Sequence, residues 1–321
     1  MVFSIVIFLF SLSSVVLSLS VNNFQKLPLP STSTGPESIA FDSLNRGPYT
    51  GISDGRVVRY NGTNFVDYCI TAPNRNKIVC DGRNNPALFG RICGRPIGIE
   101  FRLLTNTLYI ADAYFGLLKA EPNQMVATQL ANSSDGVPFK FLDGLDVHQL
   151  TGDVYFTDAS ARYSLSEILV AVAVNDATGR LLKYNPATQQ VTTLMKGLSG
   201  PAGVAVSSDG SFLLVTEFIA QRIQKFWLTG PKAFTSEILV TFNGRPDNIK
   251  RTLSGDYWVA VNVQKLLAIV PTGIRINATG AILEMVPLDA YYGPILISEF
   301  NPRGLNTYVG SLFANFLGQS S

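Results

Sequence analysis

The segment GIEFRLLTNTLYIADAYFGLLKAEP, residues 98–122, decides the fold. It alternates apolar and polar residues over short runs between turn residues, and this two-residue period predicts β-strands. Its order is a short strand, a turn, a second strand that ends in an acid, and a third strand after a glycine. The same order begins again at Ser38, Gly144 and Gly203, and more loosely at Asn248.

The repeats are spaced by roughly 45 residues, which is the size of a four-stranded propeller blade. Counting the stretch after Tyr291 gives six blades. The sequence therefore predicts an all-β fold, a six-bladed β-propeller formed by residues 21–321 as one domain. The last blade is a strand short, so either residues 24–30 complete it or its edge is frayed.

One segment, SLSEILVAVAVNDATG from Ser164, interrupts the strand pattern with apolar residues at helical spacing. Ser166 is its candidate N-cap. The apolar face of the helix would contain Ile168, Leu169, Val172 and Ala173. Because the insertion falls between the second and third strands of a blade, we expect one short helix over the end of the disc, as a wall of a small-molecule pocket.

Residues 1–20, MVFSIVIFLFSLSSVVLSLS, are apolar and uncharged, and small residues precede Val21. This pattern predicts a cleaved signal peptide, with an uncleaved membrane anchor as the alternative. We expect entry into the secretory pathway, with no stable membrane insertion after cleavage. Three Asn-x-Ser/Thr sequons then become candidate glycosylation sites: Asn61, Asn132 and Asn277.

The overall composition excludes several classes of function. The formal net charge is +2, with 15% charged residues, so no basic surface favours nucleic acid as a partner. No GxGxxG, P-loop or HExxH motif occurs, so nucleotide and zinc-protease chemistry have no support. The expected partner is a small-molecule ligand or substrate.

The chain contains three cysteines. Cys80 and Cys93 bracket a polar segment of the kind that a disulfide closes in an oxidising compartment. Cys69 lies in the apolar run FVDYCI and is interpreted as a buried, inert thiol. The sequence predicts a Cys80–Cys93 disulfide.

Carboxylates stand where the first strands of three blades begin, at Glu37, Asp143 and Asp247, with Asn248 beside the last. First strands line the central channel of a propeller, so these side chains can converge. Hard oxygen ligands of this kind suit Ca²⁺, which is the only candidate cofactor. The alternative is that they cap turns through hydrogen bonds to backbone amides.

Several stretches, among them GPESIAFD from Gly35, CGRPIGIEF from Cys93 and GDVYFTDAS from Gly152, resemble the plant strictosidine synthase family. The resemblance runs from about Phe24 to Phe313. It implies a six-bladed propeller, a vacuolar destination with an extracellular one as alternative, and a disulfide matching Cys80 and Cys93. It also implies an amine lyase of alkaloid biosynthesis, which condenses tryptamine with the aldehyde secologanin.

In that family one Glu in the last blade is the general acid/base. Aligned on Gly293 and Gly310, this sequence places Ile297 or Ser298 at that position, with Glu299 nearby. Neither Ile nor Ser can exchange a proton as a carboxyl group does. We therefore expect no true strictosidine synthase activity, and the catalytic residue is unassigned.

The wider superfamily includes calcium-dependent lactonases and esterases with a Glu, Asn, Asn, Asp metal quartet. Glu37 and Asp247 match that quartet, Asp143 replaces the first Asn, and Ala202 stands at the second. Three hypotheses remain: an amine lyase, a calcium-assisted hydrolase of lactones or esters, and a propeller that binds a ligand without catalysis.

Overall fold

The computed structural model describes residues 17, 18, 21 and 23–321. It confirms a mostly-β six-bladed propeller with a few short helices. The first strands of neighbouring blades contact one another, so they form the wall of a central channel. The predicted signal peptide lies outside the described residues, except that the backbone of Leu17 and Ser18 forms a short strand.

The amino-terminal half contains three blades, each a four-stranded antiparallel sheet in chain order. Two strands precede the first blade: β1 (Leu17–Ser18) and β2 (Gln25–Pro28). Blade 1 and the helices that follow it are β3 (Ile39–Ala40), β4 (Tyr49–Gly51), β5 (Arg56–Tyr60), β6 (Phe65–Ile70), α1 (Lys77–Cys80) and α2 (Pro86–Cys93). Blade 2 and a small hairpin are β7 (Pro96–Arg102), β8 (Thr107–Asp112), β9 (Gly116–Ala120), β10 (Thr128–Ala131), β11 (Ser133–Ser134) and β12 (Val137–Pro138). Blade 3 is β13 (Leu142–Val147), β14 (Val154–Asp158), a 3₁₀ turn (Leu165–Glu167), α3 (Ile168–Ala173), β15 (Gly179–Asn185) and β16 (Gln190–Leu198).

The carboxy-terminal half contains the other three blades. Blade 4 is β17 (Pro201–Val206), β18 (Phe212–Glu217), β19 (Arg222–Trp227) and β20 (Ser236–Thr241). Blade 5, followed by a short helix, is β21 (Gly244–Arg251), β22 (Tyr257–Lys265), β23 (Ala268–Ile276), β24 (Ile282–Pro287) and α4 (Asp289–Tyr292). Blade 6 begins with β25 (Glu299–Arg303), β26 (Asn306–Gly310) and β27 (Phe316–Ser320). The short strand β1 pairs in parallel with the outer strand β24.

The ring closes through the amino-terminal strand, one of the two alternatives that the sequence left open. Strand β2 pairs antiparallel with β27, with Gln25 opposite Gln319 and Pro28 opposite Phe316, and so becomes the outer strand of blade 6. Phe24 stacks on Tyr291 with a centroid distance of 4.3 Å. Blade 6 therefore combines the amino-terminal strand β2 with three carboxy-terminal strands, and β27 is paired on both sides.

The acid at the end of the second strand recurs because its carboxylate accepts a hydrogen bond from the loop that precedes the first strand. In blades 2, 3 and 4 these acids are Asp112, Asp158 and Glu217. Each accepts a hydrogen bond from a backbone N–H in the segment that leads into the first strand of its own blade; Arg95 N, for example, donates to Asp112 at 2.8 Å. Buried polar groups need such partners, so the repeated acid is a structural feature of the blade.

The sequence predicted one short helix, whereas the described residues contain four short α-helices. The polar segment before Cys93 forms α1 and α2, because Asn76 and Asn85 cap them and Pro86 occupies the first turn of α2. Cys80 and Cys93 form the predicted disulfide, with a Cα–Cα distance of 5.5 Å. Cys69 is a buried free thiol, and burial raises its pKa to about 12.

Candidate functional site

A cavity of about 330 Å³ lies at the end of the propeller where the first strands begin. That volume is at the lower end of the range for small-molecule sites. Apolar side chains form much of its wall, among them Ile97, Phe141, Ile168, Leu169, Val172, Phe218, Ile219, Ile269, Leu296, Leu312 and Phe313. The predicted pocket is therefore present, and it suits a small molecule with an apolar body.

The insertion in blade 3 forms one side of this cavity, as predicted. Ile168, Leu169 and Val172 line the cavity, whereas Ala173 does not. The cap is Ser164 and not Ser166: Ser164 Oγ bonds Glu167 Oε2 at 2.7 Å, and the Ser164 N–H donates to the same oxygen at 3.0 Å. The bond from the Ser164 N–H to the Glu167 side chain is the part of a capping box that an acid three residues after the cap supplies.

Glu37, Asp143 and Asp247 lie together at the base of the cavity, and we call them the floor carboxylates. Glu37 and Asp143 are buried, while Asp247 is partly exposed to the cavity. Glu37 Oε1 accepts a hydrogen bond from Asn248 Nδ2 at 2.9 Å. Its other oxygen, Oε2, is buried without a hydrogen-bond partner. The structure thus brings together all four residues that the sequence proposed as ligands.

The negative charges of the floor carboxylates repel one another, which disfavours the ionised form of each group. Burial, and then the charges of Asp143 and Asp247, raise the pKa of Glu37 well above its usual value. Burial raises the pKa of Asp143 to about 7, and burial followed by the Asp143 charge raises that of Asp247. None of the three forms an ion pair with a Lys or Arg of the described residues, although the nearby charge of Arg95 opposes the shift at Asp143. A proton or a bound cation would relieve this repulsion.

The side chains alone do not complete a metal site. In the part of the chain that the structure describes, no three His, Cys, Asp or Glu residues are arranged to hold an ion. Ala202, which lines the cavity from the first strand of blade 4, supplies no ligand. A Ca²⁺ ion takes six to eight oxygen ligands in flexible geometry, so waters would have to complete the shell. Glu37 Oε2 is the oxygen that such an ion would satisfy.

Ile297 and Ser298, which the sequence aligns with the family's catalytic Glu, lie in the segment before β25 and have different surroundings. Ser298 lines the cavity, and its hydrogen bond lowers the pKa of Asp247. Ile297 is buried in the apolar core of blades 5 and 6. Asn262 holds this segment, because its side chain accepts from Ile297 N and donates to Ile297 O, both at 3.0 Å. Ser298 is therefore the residue that faces the site.

Glu299 faces away from the cavity. Its carboxylate accepts hydrogen bonds from Ser38 Oγ at 3.0 Å and Asn301 Nδ2 at 2.9 Å, and lies 3.7 Å from Lys250 Nζ. Lys250 also pairs with Glu100 at 3.0 Å. We call Glu100, Asp146, Lys250 and Glu299 the channel cluster. Glu299 belongs to this cluster and is not among the residues that line the cavity.

Asn262 and Arg245, which also line the cavity, were missed by sequence reasoning. A signal for Asn262 existed, since it is the sixth residue of its second strand, as Asp112 and Glu217 are of theirs, although its pairing with Arg245 shifts it by one residue from the place of those acids. Arg245 gave no such signal. It lies two residues before Asp247 in β21, and only the fold shows that it reaches the cavity.

Comparison with known proteins agrees with the fold. A family model described as strictosidine synthase matches residues 143–231, and one described as strictosidine synthase-like, N-terminal, matches residues 21–60. The chain is 48% identical to strictosidine synthase-like 12 of Arabidopsis thaliana over 313 residues, covering 97% of this chain and 93% of that protein. It is 38% identical to strictosidine synthase of Catharanthus roseus over 302 residues, covering 92% and 85%. The chain belongs to the strictosidine synthase family.

Solved structures outside the close relatives share the architecture of this strictosidine synthase-like propeller. A gluconolactonase from Xanthomonas campestris superimposes with a TM-score of 0.64 at 16% identity, covering 92% of this chain and 88% of that chain. At this identity the likeness shows the fold alone. No helix of the described residues is long and apolar enough to cross a membrane.

Proposed function

We propose that this protein acts on a small, largely apolar molecule as a calcium-assisted hydrolase of lactones or esters, and not as a strictosidine synthase. The observation that carries the proposal is the unbonded, buried Glu37 Oε2 among three carboxylates at the base of an apolar cavity. Unpaired buried carboxylates are costly, so a ligand that satisfies them binds with a large electrostatic gain.

Glu37, Asp143, Asp247 and Asn248 would hold the ion. Bound there, Ca²⁺ would polarise the carbonyl group of an ester or lactone. The apolar wall formed by α3 and by Phe313 excludes water from the substrate and strengthens electrostatic interactions at the floor. Ala202 leaves one side of the floor free of protein ligands, which gives a substrate oxygen room to approach.

The hydrolase proposal is tested with a panel of lactones and esters, assayed with calcium and with a chelator. Asp143→Asn should abolish calcium-dependent turnover. Asp146→Asn is the matched control, because it makes the same substitution three residues later in β13 and should leave that turnover intact. Equal activity in chelator, or equal loss in both variants, would contradict the proposed role of the floor.

A strictosidine synthase activity is not expected, because the position of the family's catalytic Glu aligns with Ile297 or Ser298, and neither side chain carries a carboxyl group. General acid/base catalysis contributes about 10² to 10⁴ in rate. The test is a tryptamine and secologanin product assay on the wild type beside Ile297→Glu and Ser298→Glu. Synthase-level turnover by the wild type would refute this expectation, and its loss in Glu299→Gln would show that the alignment was wrong.

A non-catalytic ligand-binding propeller is the second candidate. Ala202 in place of a ligand, and the lack of a preformed three-residue site, favour it. This candidate predicts saturable binding of small apolar molecules without turnover under any metal condition. The same substrate panel distinguishes the two functions when product formation and binding are measured in parallel.

We also propose that the protein enters the secretory pathway and reaches the vacuole, with the mature chain beginning near Val21. Asn61 and Asn132 are exposed and Asn277 is partly exposed, so all three sequons are accessible to some degree. Glycosidase treatment should change the gel mobility of the plant-expressed protein. An intact residue 1–20 segment and no mobility change would overturn this proposal.

A further inference from the structure

We propose that Arg245 forms an anion-binding subsite in the cavity, so that the molecule taken by this site carries a carboxylate near its reactive carbonyl group. The carbonyl part of this statement rests on the proposed hydrolase function. The anion subsite itself does not, because it concerns binding only.

Arg245 is the only basic residue that lines the cavity in the described part of the chain. Its guanidinium makes one long hydrogen bond, from Nη1 to the Phe218 carbonyl at 3.4 Å, and lies 5.3 Å from the centre of the Phe218 ring. No carboxylate of the described residues pairs with it. A guanidinium has five N–H donors, so most of its donors remain for a ligand.

The surroundings of Arg245 are also polar. Four side-chain amides line the same cavity from blades 4 and 5: Gln221, Asn243, Asn262 and Gln264. The Asn243 side chain is fixed by its hydrogen bond from Nδ2 to the Gln264 carbonyl, at 2.9 Å. The wall that α3 contributes is apolar by contrast. The cavity therefore has a cationic, amide-lined part and an apolar part, and a ligand must match both.

Strand geometry limits the spacing of the two polar groups of such a ligand. Arg245 and Asp247 lie two residues apart in β21, which corresponds to about 6.6 Å along a strand. The class of substrate is therefore an ester or lactone with an acidic group a few bonds from the carbonyl and an apolar remainder. Arginine favours carboxylates because it can donate two parallel hydrogen bonds.

The test compares two probes of the same shape, 4-phenylbutanoate and neutral 4-phenylbutanamide, by titration calorimetry at pH 7, with calcium and with chelator. The wild type should prefer the carboxylate by about tenfold, the value that a net charge-assisted bond of about 1.4 kcal/mol gives. Arg245→Gln should remove the preference, and Arg245→Lys should restore part of it. Arg251→Gln is the matched control, since Arg251 is exposed at the other end of β21 and should have no effect.

No preference in the wild type would overturn the proposal. A preference that survives in Arg245→Gln, or one that requires calcium and ignores Arg245, would overturn it too, because the anion would then bind elsewhere. A carboxylate preference that depends on Arg245 supports the subsite even where the ester panel shows no turnover. Failure of this proposal and failure of the hydrolase proposal are thus separate results.

Discussion

The floor carboxylates and the channel cluster have similar acids and opposite surroundings. Glu37, Asp143 and Asp247 open into a cavity and have no ion-paired cation in the described residues. Three residues further along the same strands, Asp146 and Lys250 belong to the channel cluster, where Lys250 pairs with two carboxylates. The number of acids therefore does not identify a ligand site. The lack of an ion-paired cation in the described residues, together with access from a cavity, does.

The pKa values express the same contrast. Burial alone would lower the pKa of Lys250, but Glu299, Glu100 and Asp146 raise it above its usual value, so the lysine stays charged. Burial raises the pKa of Glu299, and Lys250 opposes that shift. At the floor Asn248 opposes the shift of Glu37 through one hydrogen bond, and the charge of buried Arg95 interacts with Glu37 without forming an ion pair. The carboxylates of the channel cluster therefore have a cation as partner within the protein, whereas the floor carboxylates have no ion-paired cation in the described residues.

The largest expected effect follows from the removal of Lys250, the cation of the channel cluster. Lys250→Met should lower the free energy of unfolding by about 3 kcal/mol, because it leaves buried carboxylates without a partner. Denaturant unfolding measures it, with Arg251→Met as the exposed control on the same strand. A loss below about 0.5 kcal/mol, the usual range of a surface substitution, would show that the cluster is solvated and that the contrast is false.

Adding a cation beside the floor carboxylates should give them the internal charge partner that the channel cluster has. Ala202→Lys places an ammonium group beside the floor carboxylates, and should stabilise the metal-free protein by about 1 to 2 kcal/mol while removing its response to calcium. Ala202→Met has similar length without charge, and should do neither. If the lysine variant still responds to calcium as the wild type does, the floor is not where the ion binds.

A pH titration should detect the excess acid of the channel cluster. Burial and then Glu100 raise the pKa of Asp146 to about 6, so the folded state binds a proton that the unfolded state has released. This contribution is fully present below about pH 4, the unfolded pKa, and is lost as the pH rises through 6. At about 1.4 kcal/mol per pKa unit, the loss of the Asp146 contribution amounts to at most about 3 kcal/mol over that window, measured by unfolding at each pH. Asp146→Asn should reduce the slope and leave the part that the floor carboxylates contribute, and an unchanged slope would contradict the assignment.

The smallest effect concerns one hydrogen bond. Ser38→Ala removes the donor to Glu299 Oε2 and should cost about 1 kcal/mol in the same unfolding assay. Ser254→Ala, at an exposed turn, is the control and should change little. Equal stability of both variants would mean that Lys250 and Asn301 satisfy Glu299 without Ser38.

Much of the fold and part of the candidate site could be predicted from the sequence. The strand period gave the six blades, and the cysteine context gave the Cys80–Cys93 pair. The capping box at Ser164 was readable from Glu167 three residues later, and Ser166 was the wrong choice. Helices α1 and α2 are too short for a periodic signal, so only their Asn caps could have indicated them.

The sequence could not predict that the Glu299 side chain lies outside the cavity, or that the Arg245 side chain lines it. Both depend on partners from other blades, Lys250 and Phe218, which strand period cannot place. Register shifts between Leu142 and Leu145, and between Pro246 and Ile249, add to this difficulty. A bulge changes which residues of a strand share a face, so Asp143 and Asp146 can both be directed to the channel although they are three residues apart.

Calcium titration of the chelator-stripped protein by calorimetry tests the central claim most directly. The account predicts one saturable site in the wild type, lost in Asp247→Asn and in Glu37→Gln, and retained in Asp146→Asn. Calcium binding that is absent from the wild type, or that persists unchanged in both floor variants, would contradict it.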